Sequence, residues 1–154
     1  MDALNIAREY ETQQFIVIKI GEEQYGIDIR YVDNILRMQK ITRVPHVQHY
    51  FKGVINLRGE VVPVMSIRLK MNLSDDVITN KSRIIIIKFE NNAPIGIVVD
   101  EVKEVVTLDE RSIDKVSKNG GAQEPTFITG VGKVDENLIS LLDLTTIINE
   151  KETV

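Results

Sequence analysis

Cysteine and tryptophan are both absent from this 154-residue chain. Without cysteine the chain can form no disulfide bond, no thiolate metal site and no cysteine nucleophile. Aromatic residues make up only 5% of the sequence, and the formal net charge is −4. Nucleic-acid binding relies on clustered basic side chains and, for single strands, on stacking aromatic rings. The composition therefore predicts no nucleic-acid partner.

Long apolar runs are also missing. The longest aliphatic block, Ile84 to Ile87, lies between Arg83 and Lys88 and is far shorter than the ~20 apolar residues of a spanning helix. The N-terminal segment MDALNIAREYETQQ lacks the basic-then-apolar order of a secretory signal. We therefore expect a cytoplasmic protein with no direct membrane insertion.

Apolar residues make up 43% of the chain and charged residues 27%, which is ordinary for a soluble globular protein. The length fits one compact domain or two small fused lobes. The most informative feature is an internal repeat, because the segment from Phe15 to Leu36 aligns with the segment from Ile84 to Val106. This alignment places Lys19 on Lys88, Gly26 on Gly96, Val32 on Val102 and Ile35 on Val105.

A second block repeats without gaps, since GVINLRGEVVPVMSI aligns with GVGKVDENLISLLDL. Gly53 then corresponds to Gly130 and Val61 to Leu138. Two copies indicate a pseudo-duplicated pair of lobes rather than a solenoid, which needs three or more repeats.

Runs rich in β-branched residues, bounded by turn-forming residues, predict about five short strands in each half. The first-half strands are expected near 15–20, 24–29, 41–44, 53–57 and 60–65. Those of the second half are expected near 84–89, 94–100, 103–107, 127–133 and 137–142. Because short strands must protect their edges, closure into small barrels is favoured.

Helices are few. The apolar spacing between Ile29 and Arg37 predicts a short helix or turn there. Asp143 is placed to cap a C-terminal helix with Leu144, Ile147 and Ile148 as its apolar stripe. By the repeat, Ser66 should cap an equivalent helix through Leu69. Residues 118–125 are predicted to form a mobile loop, and residues 1–12 a polar arm.

Chemistry-bearing motifs are weak. His46 and His49 have no evident further ligands nearby, so packing or surface roles are favoured over metal binding. Asp100, Glu101 and Glu104 lie on a strand and its end without a nearby nucleophile, as on a solvated face. We therefore predict no catalytic residues, no metal and no cofactor. Small closed barrels commonly bind a ligand or single-stranded nucleic acid, so a binding module of that kind stays an alternative function.

The strings YGIDIRYVDNILR, ITRVP, GVINLRGEVVPV, GIVVDEV and LLDL resemble the CheW family of chemotaxis coupling proteins, over about residues 13 to 149. The resemblance implies a mainly β fold of two SH3-like five-stranded barrels around a shared apolar core, with few short helices. It places a single domain over residues 13–150 with lobes at about 13–80 and 81–150, while strand exchange between the lobes stays open. Residues 151–154 would form a tail.

The same resemblance implies a non-enzymatic scaffold that couples chemoreceptors to the histidine kinase CheA. The partners would be the kinase regulatory domain and the cytoplasmic tip of a methyl-accepting receptor, at receptor arrays on the inner face of the membrane. Where the family usually has an acidic residue this chain has Ser66, and Asn34 also stands where an acid is common.

The implied receptor groove comprises several residues of both repeats, with two glycines that shape the nearby backbone. The groove residues are Val32, Ile35, Arg58, Val102 and Gly130, and the backbone-shaping residues are Gly53 and Gly59. Core packing remains the alternative role for Val32 and Ile35.

Overall fold

The computed structural model describes residues 11–116 and 127–148, so the predicted loop at 118–125, nearly all of the predicted arm and the tail lie outside the described residues. Two short helices are α1 (Ile67–Lys70) and α2 (Leu144–Ile148), and single 3-10 turns cover Ile29–Tyr31 and Glu110–Ser112. The strands are β1 (Thr12–Ile20), β2 (Glu23–Asp28), β3 (Val32–Arg37), β4 (Phe51–Leu57), β5 (Glu60–Ser66), β6 (Arg83–Ile87), β7 (Ile95–Val99), β8 (Glu101–Asp109), β9 (Ile113–Lys115), β10 (Ile128–Val134) and β11 (Asn137–Leu142).

The strands form two sheets that exchange strands between the repeats. Lobe A has the order β8-β1-β2-β11-β10-β9, and lobe B has the order β3-β6-β7-β5-β4. The first two strands of the first repeat, β1 and β2, therefore lie in lobe A with strands of the second repeat. The first two strands of the second repeat, β6 and β7, lie in lobe B with strands of the first repeat. The lobe boundary predicted near residue 80 does not coincide with the division between the sheets, because β3 pairs with β6 and β8 pairs with β1.

Each lobe has the strand order of the other. Under the repeat alignment, the strands β3-β6-β7-β5-β4 correspond in sequence to β8-β1-β2-β11-β10. In lobe A the chain leaving β8 adds the short strand β9 to β10, and in lobe B the chain leaving β3 makes the equivalent bridge between Thr42 and Val54. These links join the two ends of each strand order. Each lobe is thus a small SH3-like barrel, as the resemblance implied.

Three apolar clusters fill the molecule. One lies in lobe A and includes Phe15, Val17 and Leu141. A second lies in lobe B and includes Ile84 and Ile86. The largest cluster draws on both lobes, because alternate residues of β1 and β6 face it; we call it the central cluster. Its buried members include Ile16, Ile18, Ile85, Ile87 and Ile97.

The segment from Ile29 to Arg37 was predicted as a helix or turn, and only its first three residues are helical. From Val32 onward the chain is strand β3, whose residues alternate between half-buried and exposed. Pairing with the aliphatic strand β6 outweighs the weak helical spacing, because burial against neighbouring strands decides such short segments. The prediction of a strand at 41–44 is also wrong, because only the isolated bridge between Thr42 and Val54 forms there.

The two helix caps are confirmed. The Ser66 Oγ accepts a hydrogen bond from the Leu69 backbone N–H at 3.1 Å, and the Asp143 Oδ1 accepts one from the Thr146 N–H at 3.2 Å. Each cap satisfies a donor that the first turn of a helix leaves free. The repeat thus predicts local hydrogen bonding as well as strand order.

Candidate functional site

Two of the predicted groove residues follow the points where the chain crosses between the lobes. The first crossover is the 3-10 turn between β2 and β3, and the second is Asp100 between β7 and β8. Val32 opens β3 and Val102 is the second residue of β8. Both are half-buried and pack against the central cluster. Val32 therefore combines the core packing and the exposed surface that the sequence left as alternatives for it, and Val102 has the same environment.

A β-bulge accompanies each of these valines. The register between β3 and β6 shifts between Val32 and Asn34, and the register between β1 and β8 shifts where Val102 pairs with Ile18. The two shifts occupy equivalent positions in the repeat. Bulges change the direction in which neighbouring side chains point and are common beside functional sites.

Val32 lines a cavity of about 280 Å³ together with Tyr31, Asp33 and Phe89. Tyr31 and Phe89 pack ring against ring at 5.0 Å and also line an adjacent cleft of about 540 Å³ on lobe A. Val102, Arg58, Ile35 and Gly130 line neither of these two cavities. The structure therefore places Val32 at a concave surface, while the other predicted groove residues lie outside these two cavities.

Four of the exposed apolar side chains form two pairs related by the repeat. Ile35 is 39% exposed and its counterpart Val105 is 50% exposed. Val61 is 66% exposed and its counterpart Leu138 is 62% exposed. Sequence reasoning aligned the second pair without assigning it a role. Period-two alternation along β5 and β11 could have placed both residues on the outer face.

Val61 borders a shallow cavity of about 360 Å³ on the outside of lobe B. Its lining combines uncharged residues with the single cation Lys40; the others are Gln39, Thr42, Val54, Ile55, Asn56 and Val61. An apolar side chain beside a concave surface suits a partner that inserts its own apolar group.

Arg58 occupies the turn between β4 and β5. Its φ is +55° and that of Gly59 is +83°, as a two-residue hairpin turn requires. The Asn56 Oδ1 accepts a hydrogen bond from the Gly59 N–H at 3.0 Å and stabilises this turn. Arg58 is exposed and forms no ion pair with residues 11–116 or 127–148. Gly59 supplies one of the two positive φ angles of this turn.

Gly53 and Gly130 are buried at equivalent bulges in β4 and β10. A side chain at Gly53, whose φ is +140°, would place its Cβ 2.1 Å from the Thr42 carbonyl oxygen. At Gly130 the corresponding approach is 2.9 Å, to the Asp114 carbonyl oxygen. Both glycines allow close backbone contact at the point where the barrel closes.

An ion pair lies at the second crossover. The Arg68 Nε donates to the Asp100 Oδ1 at 3.0 Å, and the Arg68 Nη2 donates to the Oδ2. The Asp100 Oδ2 also accepts from the Gly21 N–H at 2.8 Å. Burial by itself would raise the pKa of Asp100, but these hydrogen bonds outweigh it and hold the pKa below the usual carboxyl value.

Asp76 is a buried carboxylate in the segment between α1 and β6. Its side chain is only 2% exposed, and neither of its oxygens has a well-formed hydrogen bond among the described residues. Burial raises the pKa of Asp76, although the neighbouring Ser66 hydroxyl and Lys52 ammonium, 3.9 Å away, oppose this shift. Folding therefore makes this carboxyl easier to protonate than an exposed aspartate.

We expect Asp76→Asn to raise the free energy of unfolding by about 1 kcal/mol at neutral pH, because it removes a buried charge. Since the folded pKa is the higher one, this carboxyl lowers stability as pH rises above its unfolded pKa of about 3.9. Urea unfolding at several pH values measures the effect. The control is Asp75→Asn, whose carboxylate is exposed and has its pKa lowered by Lys52. A variant no more stable than the parent would contradict the prediction.

No group of three or more His, Asp or Glu side chains in the described ranges is arranged to hold a metal ion. His46 has a φ of +63°, and His49 packs edge-on against Tyr50 at 5.6 Å. Within the same ranges no helix is long and apolar enough to cross a membrane.

Comparison with known proteins identifies the architecture. The family model for the CheW-like domain matches residues 14–152. The chain is 33% identical over 141 residues to the chemotaxis protein CheW of Bacillus subtilis, with 92% of this chain and 90% of the relative covered. It is 30% identical over 147 residues to CheW of Klebsiella aerogenes, with 96% and 88% covered.

A solved structure shows the same fold. The crystal structure of scaffolding protein TtCheW from Thermoanaerobacter tengcongensis matches with a TM-score of 0.77 and 29% identity. The match covers 91% of this chain and 95% of the other. Sequence and structure agree over nearly the whole length, and the chain belongs to the CheW-like domain family.

Proposed function

We propose that this protein couples chemoreceptors to the histidine kinase CheA by binding the receptor tip and the kinase regulatory domain at separate surfaces. The CheW family is one of scaffold adaptors, and the chain has a chemotaxis scaffold role. The observation that carries the proposal is the pairing of exposed apolar side chains across the repeat. A coupling protein must hold two partners at once, and each lobe offers its own apolar surface.

The receptor surface is proposed at the crossovers between the lobes. Val32 and Val102 are half-buried beside bulges, and Val32 lines a cavity with Tyr31 and Phe89. A helix of the receptor tip could place apolar side chains against such a surface. Arg58 would contribute a charged contact from the β4–β5 turn of lobe B, because a guanidinium pairs well with carboxylate or carbonyl groups.

The kinase surface is proposed on the outer faces of the barrels, at Val61 and Leu138. Both are more than half exposed, and a single large apolar side chain can anchor an interface when a partner covers it fully. Because the kinase regulatory domain is itself CheW-like, a lobe-to-lobe contact of similar shapes is expected. This assignment places the protein at receptor arrays without any membrane contact of its own.

We expect Arg58→Ala to lower affinity for a receptor-tip fragment by about tenfold or more, the loss typical of an interface arginine. The fold should persist, because Arg58 forms no ion pair with the described residues. Alanine at this position would adopt the same positive φ as arginine does. Titration calorimetry of the purified protein with the receptor fragment measures the change.

Arg43→Ala is the matched control, because Arg43 is an exposed arginine elsewhere on lobe B. It should bind the receptor fragment as the parent does. Binding of the Arg58 variant with unchanged affinity would remove Arg58 from the receptor surface. If the parent protein bound neither the receptor fragment nor the kinase regulatory domain while folded, the coupling function itself would be wrong.

The small-barrel alternative, binding of a ligand or single-stranded nucleic acid, is not favoured. Family membership points to a scaffold, and the acidic net charge and low aromatic content oppose nucleic-acid binding. The same calorimetry with a single-stranded oligonucleotide should give no heat of binding.

A further inference from the structure

We propose that Arg68 and Asp100 are positioning residues that set the placement of Val102 on the receptor surface. This inference rests on the proposed function. Asp100 is the one residue between β7 of lobe B and β8 of lobe A. Any change in its position therefore shifts the start of β8 relative to lobe B.

Asp100 is held from three directions. Its carboxylate binds the Arg68 guanidinium, which extends from α1 of lobe B, and also the Gly21 N–H in the turn between β1 and β2 of lobe A. Its own N–H donates to the Lys19 carbonyl oxygen at 3.1 Å. The crossover residue is thus tied to both lobes.

The arginine of this ion pair is better protected than the arginines of the other arginine–aspartate pairs in the described residues. The Arg68 and Asp100 side chains are 17% and 25% exposed, whereas Arg30 and Arg111 in their pairs are each 64% exposed. Arg68 also binds with two nitrogen atoms, a geometry that fixes direction as well as distance. Such a pair restrains a crossover more strongly than a solvated surface pair does.

The duplicated fold does not itself require this ion pair. At the first crossover Arg30 occupies the position equivalent to Asp100, and Thr145 occupies the position equivalent to Arg68. Arg30 binds Asp28 in its own strand segment instead. The first crossover therefore forms without an equivalent of the Arg68–Asp100 ion pair. At the second crossover, Asp100 of this ion pair lies two residues before Val102, which the proposed function places at the receptor surface.

The variants Arg68→Lys and Asp100→Asn test the positioning role. Lysine keeps the charge but cannot form the two-nitrogen contact, and asparagine keeps an acceptor for Gly21 but loses the charge. We expect each to lower affinity for a receptor-tip fragment by about fivefold to tenfold. Affinity for the kinase regulatory domain should stay within about twofold of the parent, because Val61 and Leu138 lie away from the crossover. Most of β5 separates Val61 from α1, and Leu138 lies on β11, which pairs with neither β7 nor β8.

Asp109→Asn is the matched control, since Asp109 also pairs with an arginine but lies at the far end of β8. It should bind both partners as the parent does. Methyl NMR adds an independent readout: the Val102 signals should move in the Arg68 and Asp100 variants, while those of Val61 should not.

The outcomes separate the two proposals. If the parent binds the receptor fragment and both crossover variants bind equally well, the positioning role is wrong and the coupling function stands. An equal loss of affinity for both partners, with unchanged Val102 signals, would also overturn the positioning role. If the parent fails to bind the receptor fragment, the proposed function falls and the positioning role falls with it.

Discussion

Replacing Gly53 with alanine should lower the free energy of unfolding by about 3 kcal/mol or more. The φ of +140° is unfavourable for any residue with a Cβ, and the new methyl group would lie 2.1 Å from the Thr42 carbonyl oxygen. That oxygen accepts the Val54 N–H at 2.8 Å in the bridge that closes lobe B. The variant must therefore break the bridge or move the strand. Urea denaturation followed by circular dichroism measures the loss.

The equivalent substitution in lobe A is the control. Gly130→Ala meets the Asp114 carbonyl oxygen at 2.9 Å, without the unfavourable φ that Gly53 has. It should be destabilising by clearly less than the Gly53 variant. If the two variants were equally stable, the close approach at Gly53 would not be what makes glycine necessary there.

The second large effect is expected at the centre of the molecule, where Ile85→Ala should lower the free energy of unfolding by about 3 kcal/mol. Ile85 is fully buried and belongs to the central cluster that both lobes share. Truncation leaves a cavity between the lobes that close packing on both sides prevents from collapsing. Thermal and urea unfolding should shift together, since the loss affects both lobes.

Ile35 provides the matched control because it is the cross-strand partner of Ile85 on β3. It is 39% exposed, so Ile35→Ala should change stability by less than about 1 kcal/mol. The pair compares the same deletion at paired backbone positions with opposite burial. A large loss at Ile35 would assign it to the core instead of the receptor groove that the sequence predicts.

Much of the fold follows from patterns that are local in the sequence. The strands at 60–65 and 137–142 and the caps at Ser66 and Asp143 were predictable because β-branched runs and capping residues act over a few neighbours. The internal repeat extended these local predictions from one half to the other. The repeat predicted the helix cap at Ser66 from its counterpart Asp143, because the residues around Ser66 indicate a helix less clearly.

Strand exchange could not be predicted, for an energetic reason. The strands β1 and β6 have similar sequences, FIVIKI and IIIIKF, so either could pair with β3 through comparable aliphatic contacts. The sequence therefore shows that β1 and β6 are similar, but it leaves open which of them pairs with β3. The helix predicted from the apolar spacing between Ile29 and Arg37 was wrong for a related reason. Long-range pairing with β6 determines that most of this segment is a strand.

The candidate site was predictable only in part. The resemblance selected Val32, Val102 and Arg58, and the structure places the valines at the two crossovers and Arg58 on an exposed turn. It could not select Arg68 or Asp100, because a side-chain pair across two lobes depends on distances that strand exchange creates. The roles of the predicted groove residues stay predictions until binding is measured.

The exchanged strands also govern when this protein can fold during its synthesis. β1 must wait for β8, whose last residue is Asp109, and β2 pairs with Ser140 and Leu141 of β11. Lobe A therefore lacks partners until β11 (Asn137–Leu142) has left the ribosome, and lobe B must wait for Val99. Aliphatic strands such as β1, which β2 pairs along one edge only, stay incompletely paired during that interval. The nascent chain thus depends on rapid release, or on chaperones, more than a protein with two consecutive domains would.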